Sequence, residues 1–501
     1  MTYEEVSTSL KQRYTPPQIK LFERAYEFAS KAHAGQNRKS GDPYVVHSLA
    51  VADYLANRLH IDINTVVAGL LHDVPEDTTV TLSEIRKNFG DQVAFMVSGI
   101  TKLGKIKLRN QKDENYIETL RKMFLAMAAD IRVVLIKLAD RRHNLETLRF
   151  LPLEKQERIA RETLELYSPI ADRLGMGELK GELEDLAFPY SDPEEYKWLM
   201  EQVKERYEEM QAYVERVKKI IEKNFHETGI KFSDINGRAK HFYSLFQKVK
   251  REKYDRDISK IYDIVALRII TNSLEDCYAA LGALHSKYRP LPGRIKDYIA
   301  FPKPNGYRSI HTTVFGPEGR ILEIQIRTAE MHQEAEYGIA AHWAYSESGK
   351  PKSGYKVPVK QLEWVNQLRD WQKEIGGSSE EFMESLKIDF FKNRIFIFTP
   401  KGDVKDLPEG ASPLDFAFLV HTDLGLKTMG VKINGKMAKL ADELQNGDVV
   451  EILRGKEPKV SRDWLRFVKT SNARSKIRAY LNQHQKGWFG GILPKLPFTK
   501  K

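Results

Sequence analysis

Two histidines and two aspartates in the first third of the chain have the chemistry of a metal site. His47, the adjacent pair His72-Asp73 and Asp140 provide two imidazoles and two carboxylates, which are enough donors for one divalent ion. A mixed nitrogen and oxygen donor set without a thiolate favours Mn²⁺ or Fe²⁺ over structural zinc. A lone histidine is more often a core residue, so this interpretation depends on the His-Asp pair and its acidic neighbours.

Further acidic and basic residues lie close to these donors in the sequence. Glu76 and Asp77 follow the His-Asp pair and are placed to accept a proton from a water on the ion. Arg38 and Lys39 precede His47 and are suited to phosphate binding or to stacking on a base. A bound divalent ion acidifies its water and neutralises phosphate charge, so this group indicates metal-dependent phosphate hydrolysis.

A second group of chemically capable residues lies in the middle of the chain, within Leu291–Val314. Cations for phosphates and a ring for the base make such a stretch suitable for a nucleotide. Its basic residues are Arg294, Lys296, Lys303, Arg308 and His311, and its candidate stacking ring is Tyr307. A solvated basic loop before a strand explains the same composition equally well, so both interpretations stay open at this point.

Two carboxylates on predicted strands flank this stretch. Asp263 begins an apolar strand, and Glu323 shares one strand face with Gln325 and Arg327. Two strand carboxylates with basic loops favour Mg²⁺-dependent phosphoryl or pyrophosphoryl transfer. A turn aspartate and a solvent-facing strand edge are the alternatives. The basic segment 237–248 enters a predicted helix, whose N-terminus would favour phosphate.

Helices must position the first group of residues and a sheet must position the second. Apolar residues recur at helical spacing through residues 1–190, including Ile117–Met127, so the metal donors must converge in an all-α bundle. After Gly229, strands alternate with helices, which predicts an α+β unit. Residues 192–228 form a charged stretch that predicts either one connecting helix or a helix pair. A small β-grasp-like pattern follows further along the chain.

The predicted elements of the α+β unit are the strands Ile264–Thr271, Thr312–Phe315 and Ile321–Ile326 and the helices Lys240–Arg251, Leu274–Lys287 and Ala329–Trp343. The predicted domain boundaries are 1–190 for the helical domain, 191–228 for the connecting helices, 229–345 for the α+β domain, 346–389 for a linker and helix, 390–454 for the β-grasp-like domain, and 455–501 for the start of a helical region and the tail.

The overall composition is that of a globular protein with anionic partners. The chain has 501 residues, of which 41% are hydrophobic, and this length suggests about three domains. The formal charge of +11 favours nucleotides, RNA or acidic surfaces as partners. A single cysteine, Cys277, excludes a disulfide framework. With an acidic first segment and no run of 18 apolar residues, we expect a cytoplasmic protein without signal peptide or membrane span.

The motifs of the helical domain resemble those of HD-type phosphohydrolases and, more narrowly, the hydrolase half of the RelA/SpoT homologue family. These motifs are Arg38–His47, Leu71–Thr78 and Lys137–Asn144. The family makes and degrades the alarmones ppGpp and pppGpp. The resemblance implies that Mn²⁺ is bound by His47, His72, Asp73 and Asp140. It implies that Glu76 and Asp77 orient or activate the water, and that the nucleotide is contacted by Arg38, Lys39, Ser40 and Asn144.

The α+β domain resembles the synthetase half of the same family, a relative of the polymerase-β-like nucleotidyltransferases. The resemblance runs through Arg294–Val314, Leu322–Thr328 and Met331–Trp343. It implies that Asp263 and Glu323 hold Mg²⁺, with Glu323 also near the attacking 3′-hydroxyl. The implied ATP-phosphate ligands are Arg238, Lys240 and Lys248. The implied guanosine site consists of the stacking ring Tyr307 with Lys303, His311 and Gln325, and the wider substrate-binding set adds Arg268, Arg294 and Lys296.

The chain departs from the family pattern at a few positions and matches it at one informative motif. Arg142 stands where the family usually has an aliphatic residue, Glu146 where a basic residue is common, and Arg308 where a glutamine is common. Glu146 is expected to weaken nucleotide contacts. The Arg294–Asp297 motif has the basic form that marks bifunctional relatives.

Residues 393–454 resemble a TGS domain, whose central motif is Phe416–Gly425. In ribosome-bound relatives the corresponding histidine meets the tRNA 3′ end, so His421 is a candidate RNA contact, and a packing histidine is the alternative. The zinc-finger and ACT modules of long family members have no counterpart in this sequence. The ribosome and uncharged tRNA are the partners that this resemblance implies.

The resemblance covers about residues 1–480 and leads to the hypothesis of a bifunctional alarmone enzyme of the stringent response. With Mg²⁺ it would transfer pyrophosphate from ATP to the 3′-hydroxyl of GDP or GTP, and with Mn²⁺ it would hydrolyse (p)ppGpp. The alternatives are a hydrolase-dominant enzyme with a weak or silent synthetase, and a ribosome- or tRNA-binding regulator. We further hypothesise that ligand at one site disfavours the other, with residues 192–228 as the carrier.

Overall fold

The computed structural model describes residues 2–104, 129–303, 305–341 and 394–485. They belong to two compact units, residues 1–373 and 374–501. Among these described residues, no helix combines the length and the apolarity that crossing a membrane requires. The predicted helical stretch Ile117–Met127, the segment 346–389 and the end of the tail from residue 486 lie outside the described residues.

The first unit begins with an all-helical part, as the apolar spacing predicts. Helices α1 to α10 are, in chain order, Tyr3–Leu10, Pro16–Ala32, Tyr44–Asp53, Ile63–Leu71, Val74–Asp77, Leu82–Gly104, Ile131–Glu146, Leu153–Glu162, Ser168–Arg173 and Gly177–Ser191. Two π-helical turns, Tyr54–Arg58 and Thr163–Tyr167, and a 3₁₀ turn, Leu148–Phe150, join them.

Helix α4 is the central helix of this bundle, because its sequence is apolar on all sides. All its residues except Asn64 are buried, and it packs against α2, α3, α6 and α7. The Asp62 carboxylate caps its first turn by accepting from the Thr65 amide at 3.0 Å. The helix therefore ends in the middle of the bundle, where its C-terminus presents His72 and Asp73.

A single helix, α11 (Pro193–Thr228), occupies the charged stretch for which the sequence allowed either one helix or a helix pair. Its 36 residues make it about 54 Å long at the usual helical rise. Gly229 ends it in the left-handed conformation with φ 73°. Its buried side chains join the core of the following sheet, and they are Leu199, Val203, Tyr213, Val214, Val217, Ile221 and Phe225.

A five-stranded mixed sheet forms the rest of the first unit. Strands β1 to β5 are Phe232–Ala239, Val265–Thr271, Lys296–Asp297, Ile310–Phe315 and Ile321–Thr328. Their order is β1-β2-β5-β4-β3, with β2 and β5 parallel and the other neighbours antiparallel. Helices α12 to α14 are Phe242–Val249, Leu274–Lys287 and Ala329–Tyr337, and 3₁₀ turns lie at Glu252–Tyr254, Ile258–Lys260 and Pro317–Gly319.

The predicted strands and helices of this part are present, although the last helix ends at Tyr337, and two strands that were not predicted, β1 and β3, are added. The segment 237–248 does not enter a helix directly, because its first residues finish strand β1 and the helix begins at Phe242. Strand β1 escapes the sequence pattern because it lies at the sheet edge and only Ile235 in it is buried. The mixed sheet with packed helices confirms the predicted α+β class.

The second unit is small and rich in strands, as the β-grasp-like pattern predicts. Strands β6 to β10 are Arg394–Phe398, Val404–Pro408, Thr428–Ile433, Lys436–Ala438 and Val450–Arg454, and helices α15 to α18 are Pro413–Val420, Thr422–Leu426, Trp464–Phe467 and Ser471–Gln485. Strands β6 and β7 form a hairpin, and β10-β8-β9 form a sheet. The fully buried Asp415 carboxylate accepts from the Thr470 amide at 2.7 Å, which fastens the last helices to this unit.

Two candidate active sites

Three helices bring the four predicted metal donors of the helical part together. His47 lies on α3, His72 and Asp73 at the end of α4, and Asp140 on α7. His47 Nε2 is 3.4 Å from Asp73 Oδ2 and 3.3 Å from Asp140 Oδ1. His72 Nε2 is 3.1 Å from Asp73 Oδ1. The donor atoms therefore converge on one point, although the residues are far apart in sequence.

The orientation of His72 fits a divalent ion at that point. Its Nδ1 lies 2.7 Å from the Gly69 carbonyl oxygen, which can only accept, so Nδ1 carries the proton. Its Nε2 is buried and makes no hydrogen bond with any residue that the structure describes. Donor atoms of His47, His72 and Asp73 all lie within 4.8 Å of one another. Two imidazoles with carboxylates at this spacing match the donor set of a transition-metal site.

A partly buried lysine keeps one of these carboxylates ionised. Lys137 Nζ lies 2.7 Å from Asp140 Oδ2. Burial alone would raise the pKa of Asp140, but the Lys137 ammonium overrides it and holds the pKa well below its usual range. Asp140 is therefore an anion at neutral pH, as a metal ligand must be. Sequence reasoning did not single out Lys137, although it belongs to the same motif.

The acidic residues after the His-Asp pair lie at the rim of the donor cluster. Partial burial, and then the charge of Asp73, raise the pKa of Glu76 to about 7. The Tyr44 hydroxyl lies 2.6 Å from Asp77 Oδ2 and 3.0 Å from Asp73 Oδ2. Glu76 is thus suited to gain and lose a proton near neutral pH, and Tyr44 holds Asp77 beside the cluster. Tyr44 was not predicted from the sequence.

Of the four predicted nucleotide contacts of the helical part, Asn144 adjoins a donor directly and Arg38 is connected to it through Asn144. Arg38 Nη2 donates to Asn144 Oδ1 at 2.6 Å, and Asn144 Nδ2 donates to Asp140 Oδ1 at 2.5 Å. The Lys39 side chain is exposed, and the Ser40 hydroxyl donates to Asp42 at 2.8 Å. The structure therefore brings Arg38 and Asn144 to the cluster and leaves Lys39 and Ser40 on the neighbouring loop.

His143 also lies in this cluster and was not predicted. Its Nδ1 is 2.9 Å from His47 Nδ1 and 3.0 Å from Arg38 Nη1. Burial, with the nearby charges of His47 and Arg38, lowers the pKa of His143 to about 3, so its ring is neutral. Its position next to Asn144 in the sequence is the signal that could have identified it.

The two unusual residues of α7 pair with each other. Arg142 Nη1 lies 3.1 Å from Glu146 Oε1, one helical turn away. The Arg142 guanidinium also contacts Glu182 on α10 and lies 4.6 Å from the centre of the Tyr54 ring. Glu146 therefore faces the Arg142 side chain, and the pair connects α7 with α10.

The first predicted metal ligand of the sheet, Asp263, is held by two lysines. Lys240 Nζ lies 2.7 Å and Lys248 Nζ 2.6 Å from its carboxylate oxygens. Burial alone would raise the pKa of Asp263, but the two ammonium groups lower it to about 2. These lysines are two of the predicted ATP-phosphate ligands, so the carboxylate and the phosphate-binding cations share one site.

The second predicted ligand, Glu323, lies in a chain of hydrogen bonds on β4 and β5. Gln325 Nε2 donates to Glu323 Oε1 at 3.1 Å, and His311 Nδ1 lies 3.4 Å from the same oxygen. The Tyr307 hydroxyl is 2.8 Å from His311 Nε2. The Lys303 ammonium lies 5.1 Å from the centre of the Tyr307 ring. The predicted guanosine-site residues are thus neighbours, with the ring fixed through its hydroxyl.

The remaining predicted contacts of the sheet divide into a buried and an exposed group. The Arg268 side chain is buried and lies 3.2 Å from Glu336, which also accepts from the fully buried Arg327 at 2.9 Å. Arg294 and Lys296 are exposed, and Lys296 pairs with His311 across β3 and β4. Arg294 and Lys296 are the members of the set that the structure places in solvent.

A cleft of about 510 Å³ connects the helical part with the sheet. The sheet side contributes the predicted ligands Arg238, Lys240 and Arg268. The helical side contributes residues that were not predicted, among them Tyr54 and Glu182. A site shared by two sequence-distant parts leaves no local motif, which explains why the sequence did not reveal it.

His241 joins the two parts beside this cleft. Its Nδ1 lies 2.8 Å from Asp185 Oδ2 on α10, and the Asp185 carboxylate also accepts from the Tyr243 amide at 2.9 Å. Burial alone would lower the pKa of His241, but hydrogen bonds with Asp185 and Glu178 raise it to about 9. The imidazole packs over Gly181, where a Cβ atom would lie only 2.1 Å from the ring.

In the second unit, the candidate RNA contact His421 is exposed at the start of α16. Its Nδ1 accepts from the Asp423 amide at 3.2 Å, so the ring also caps this short helix. The exposed position is compatible with contact to a partner, and the cap explains its local structural role.

The sequence matches three domain families in the order in which the folded parts follow one another. They are the HD domain over residues 25–177, the region found in RelA / SpoT proteins over residues 237–350, and the TGS domain over residues 395–454. The helical cluster with its His-Asp donors thus belongs to the HD class. Members of the HD family and of the RelA / SpoT family use divalent metal ions, which agrees with the geometry of the donor atoms.

Curated relatives align with nearly the whole chain. It is 44% identical to the guanosine-3′,5′-bis(diphosphate) 3′-pyrophosphohydrolase of Aquifex aeolicus over 493 residues, which are 97% of this chain and 68% of that protein. The GTP pyrophosphokinase of Myxococcus xanthus is 45% identical, over 95% of this chain and 62% of that protein. The bifunctional (p)ppGpp synthase/hydrolase RelA of Mycobacterium tuberculosis is 45% identical, over 94% and 64%.

These alignments show that the chain belongs to the RelA/SpoT family. It spans less than two thirds of the length of most of these relatives.

Proposed function

We propose that this protein is a bifunctional alarmone enzyme that both makes and hydrolyses (p)ppGpp. The observation that carries the proposal is the presence of two separate clusters, each with a complete set of the residue types that its reaction needs. The names of the aligned relatives, which include a synthase, a hydrolase and a bifunctional enzyme, support it.

In the hydrolase site, His47, His72, Asp73 and Asp140 would hold a Mn²⁺ ion. When bound, this ion supplies an acidified water and neutralises phosphate charge. Glu76, with its pKa near 7, would accept the proton of the attacking water. The products would be GDP or GTP and pyrophosphate, released by cleavage of the bond between the ribose 3′-oxygen and phosphorus.

The other residues of the hydrolase site would bind and orient the nucleotide. Arg38 and Asn144 would take phosphate oxygens, because Asn144 bonds to the donor Asp140 and Arg38 bonds to Asn144. Lys39 and Ser40 would approach the substrate from the neighbouring loop. Asp77, held by Tyr44, would orient the water.

In the synthetase site, Asp263 and Glu323 would hold a Mg²⁺ ion, which offsets the charge of the ATP phosphates when bound. Lys240 and Lys248, now paired with Asp263, would turn to the phosphates together with Arg238. The 3′-oxygen of the guanosine nucleotide would attack the β-phosphorus of ATP, and AMP would leave. The residues would act by positioning and by charge neutralisation.

The acceptor GDP or GTP would stack its base on Tyr307. Lys303, His311 and Gln325 would complete this site, and Glu323 would lie near the attacking 3′-hydroxyl. Arg268 would contact ATP in the shared cleft, and Arg294 and Lys296 would reach the nucleotides from the exposed loop.

We also propose that the TGS domain contacts ribosome-bound or free uncharged tRNA, with His421 at the contact. The exposed position of its ring supports this role. The boundaries 1–190, 191–228, 229–345, 346–389, 390–454 and 455–501 remain our proposal for the division of the chain.

A pair of variants tests the two-site proposal. Asp73→Ala should abolish Mn²⁺-dependent pyrophosphate release from ppGpp and leave Mg²⁺-dependent synthesis from ATP and GDP intact, because Asp73 is a ligand of one site only. Glu323→Gln should do the reverse. If either variant lost both activities, or if it kept both, the assignment of two independent sites would be contradicted.

A further inference from the structure

We propose that His143 is a positioning residue of the hydrolase site, where it sets the tautomer of the donor His47 and fixes Arg38 beside the metal donors. This inference depends on the proposed function, since it concerns the ion and the nucleotide of that site. It assigns a role to a partly buried side chain that would touch neither the ion nor the nucleotide.

The geometry around His143 determines which atoms carry protons. Its Nδ1 lies 3.0 Å from Arg38 Nη1 and 2.9 Å from His47 Nδ1. A guanidinium group can only donate, so His143 Nδ1 must be an unprotonated acceptor. His47 faces that same acceptor, and therefore His47 Nδ1 must carry a proton and donate it to His143.

This proton placement prepares His47 to bind metal. With Nδ1 protonated, the neutral ring of His47 has its lone pair on Nε2. That nitrogen faces Asp73 Oδ2 at 3.4 Å and Asp140 Oδ1 at 3.3 Å, the side on which an ion would lie. The partner of the outer ring nitrogen decides the tautomer and orientation of a metal-binding histidine. His143 plays this part for His47, as the Gly69 carbonyl does for His72.

The same acceptor also connects the metal donors with the nucleotide ligands. Arg38, held by His143 on one nitrogen, donates from the other to Asn144 at 2.6 Å, and Asn144 donates to Asp140 at 2.5 Å. The bonds form a continuous chain from one metal donor, His47, to another, Asp140. A change in Arg38 when it binds a phosphate is therefore transmitted to two ligands of the ion.

The position of His143 on α7 makes this arrangement rigid. His143 and Asp140 lie three residues apart and thus on one face of the helix. The His143 ring also packs against the His47 ring, with the centroids 4.9 Å apart. Two effects must therefore be separated in any test, namely the hydrogen bond to Nδ1 and the packing of the ring.

Asparagine and leucine at position 143 separate the hydrogen bond from the ring packing, because these two side chains have nearly the same shape. In His143→Asn, Oδ1 occupies roughly the place of Nδ1 and can still accept, whereas His143→Leu has no acceptor. Both lose the ring equally. His143→Gln, whose amide lies one bond farther from the backbone, gives a second variant with a misplaced acceptor in case the leucine variant does not fold.

The primary measurement is Mn²⁺ binding to the full chain without nucleotide, followed by the loss of the free-ion EPR signal. All titrations use the Asp263→Asn background, so that the synthetase site does not contribute. We expect His143→Leu to weaken binding by about 10–100-fold, the usual effect of losing a partner of a metal-binding histidine. His143→Asn should retain most of the wild-type affinity, and His143→Gln should resemble the leucine variant.

The second measurement is ppGpp hydrolysis at saturating Mn²⁺. Because Arg38 loses its anchor in His143→Leu, we expect a higher KM for ppGpp, which His143→Asn should largely restore. Thermal unfolding of each variant shows whether the bundle is intact.

The possible outcomes distinguish this inference from the proposed function. If the Asp263→Asn parent itself binds no Mn²⁺, the metal-dependent function fails. If the parent binds Mn²⁺ and folded His143→Leu binds it as tightly, the role of His143 is refuted and the proposed function stands. Equal weakening in the asparagine and leucine variants would show that ring packing matters and the acceptor does not, which also overturns the inference.

Discussion

The two sites balance their carboxylates with different partners. In the helical site, Asp73 and Asp140 face the imidazoles of His47 and His72, and the outer oxygen of Asp140 also faces an ammonium group, that of Lys137. In the sheet site, Asp263 faces two ammonium groups. An imidazole can give a lone pair to an ion, whereas an ammonium group can only donate protons. The helical site is thus a nearly complete ion cage, and the sheet site depends on its substrate.

This difference would explain how one molecule could use the two metals proposed for it. Mg²⁺ is usually held by one or two carboxylates together with substrate phosphates, which is the arrangement that Asp263 and Glu323 offer. The lysines that neutralise Asp263 would be freed for phosphate if nucleotide and ion bound together. A site built from imidazoles on three helices needs no such exchange, so it can bind its ion before the nucleotide.

The largest expected effect concerns one of these lysines. In Lys248→Met, the phosphates lose a cation of the sheet site, and we expect synthesis of ppGpp to fall by about 100-fold or more. Hydrolysis should stay at the wild-type rate. Lys250→Met removes an equal charge from an exposed position two residues away and serves as the control. Equal losses in both variants would mean that general charge, and not the contact with Asp263, matters.

A medium effect is expected at the contact between the two parts. His241 has an ordinary pKa of 6.5, raised to about 9 in the folded chain. The folded state therefore gains stability that is fully present below pH 6.5 and is lost as the pH rises through 9. We expect this contribution to reach about 1–3 kcal/mol. Unfolding temperatures of the wild type and His241→Gln, measured between pH 6 and pH 10, should converge at the alkaline end.

The same variant tests whether the two sites influence each other. Hydrolysis by the wild type should change when a non-hydrolysable ATP analogue and GDP are added, because the shared cleft contacts both parts. In His241→Gln the change should be smaller. Hydrolysis rates of the wild type that do not change on addition of the nucleotides would reject the coupling. For the preceding experiment, unfolding temperatures of the two proteins that stay parallel over the whole pH range would reject the role of His241 in stability.

The smallest effect is expected at Arg142, which lies in the helical part but away from the metal donors. Arg142→Met removes the cation that Glu182 and Glu146 share and leaves Glu182 only the Tyr54 hydroxyl as a partner among the residues that the structure describes, so the free energy of unfolding should fall by about 1–2 kcal/mol. Arg161→Met breaks the exposed pair with Glu157 and should cost no more than about 0.5 kcal/mol. Denaturant unfolding measures both, and hydrolysis should remain near the wild-type rate. A strong loss of hydrolysis would place Arg142 in the site.

The sequence predicted the ligands better than their supports. His72-Asp73 and Glu323 could be identified because adjacent residues and strand alternation are local patterns. The roles of His143 and Tyr44 depend on which helices pack together, and a tautomer is decided by a partner far away in sequence. The pair Arg142 and Glu146, at helical spacing, could have been recognised as an ion pair, although their contacts with α10 could not.

Helix α11 shows a similar limit at the level of the fold. Its charged sequence indicates a helix between two domains, but the structure places its apolar side in the core beneath the sheet. Strand β1 was missed for the opposite reason, because its polar edge position gives a weak pattern. In both cases the burial of a segment depends on its neighbours, which the local sequence does not contain.

The packing of α11 also has a practical consequence for dividing the chain. A fragment of the sheet part that starts at Gly229 would leave behind seven buried side chains of α11 and expose the apolar face of the sheet that they cover. Such a fragment would be prone to aggregation. A fragment that starts at Pro193 keeps these side chains but loses Phe188 of α10, which belongs to the same core, so a fragment that includes the end of α10 is needed to keep this face covered.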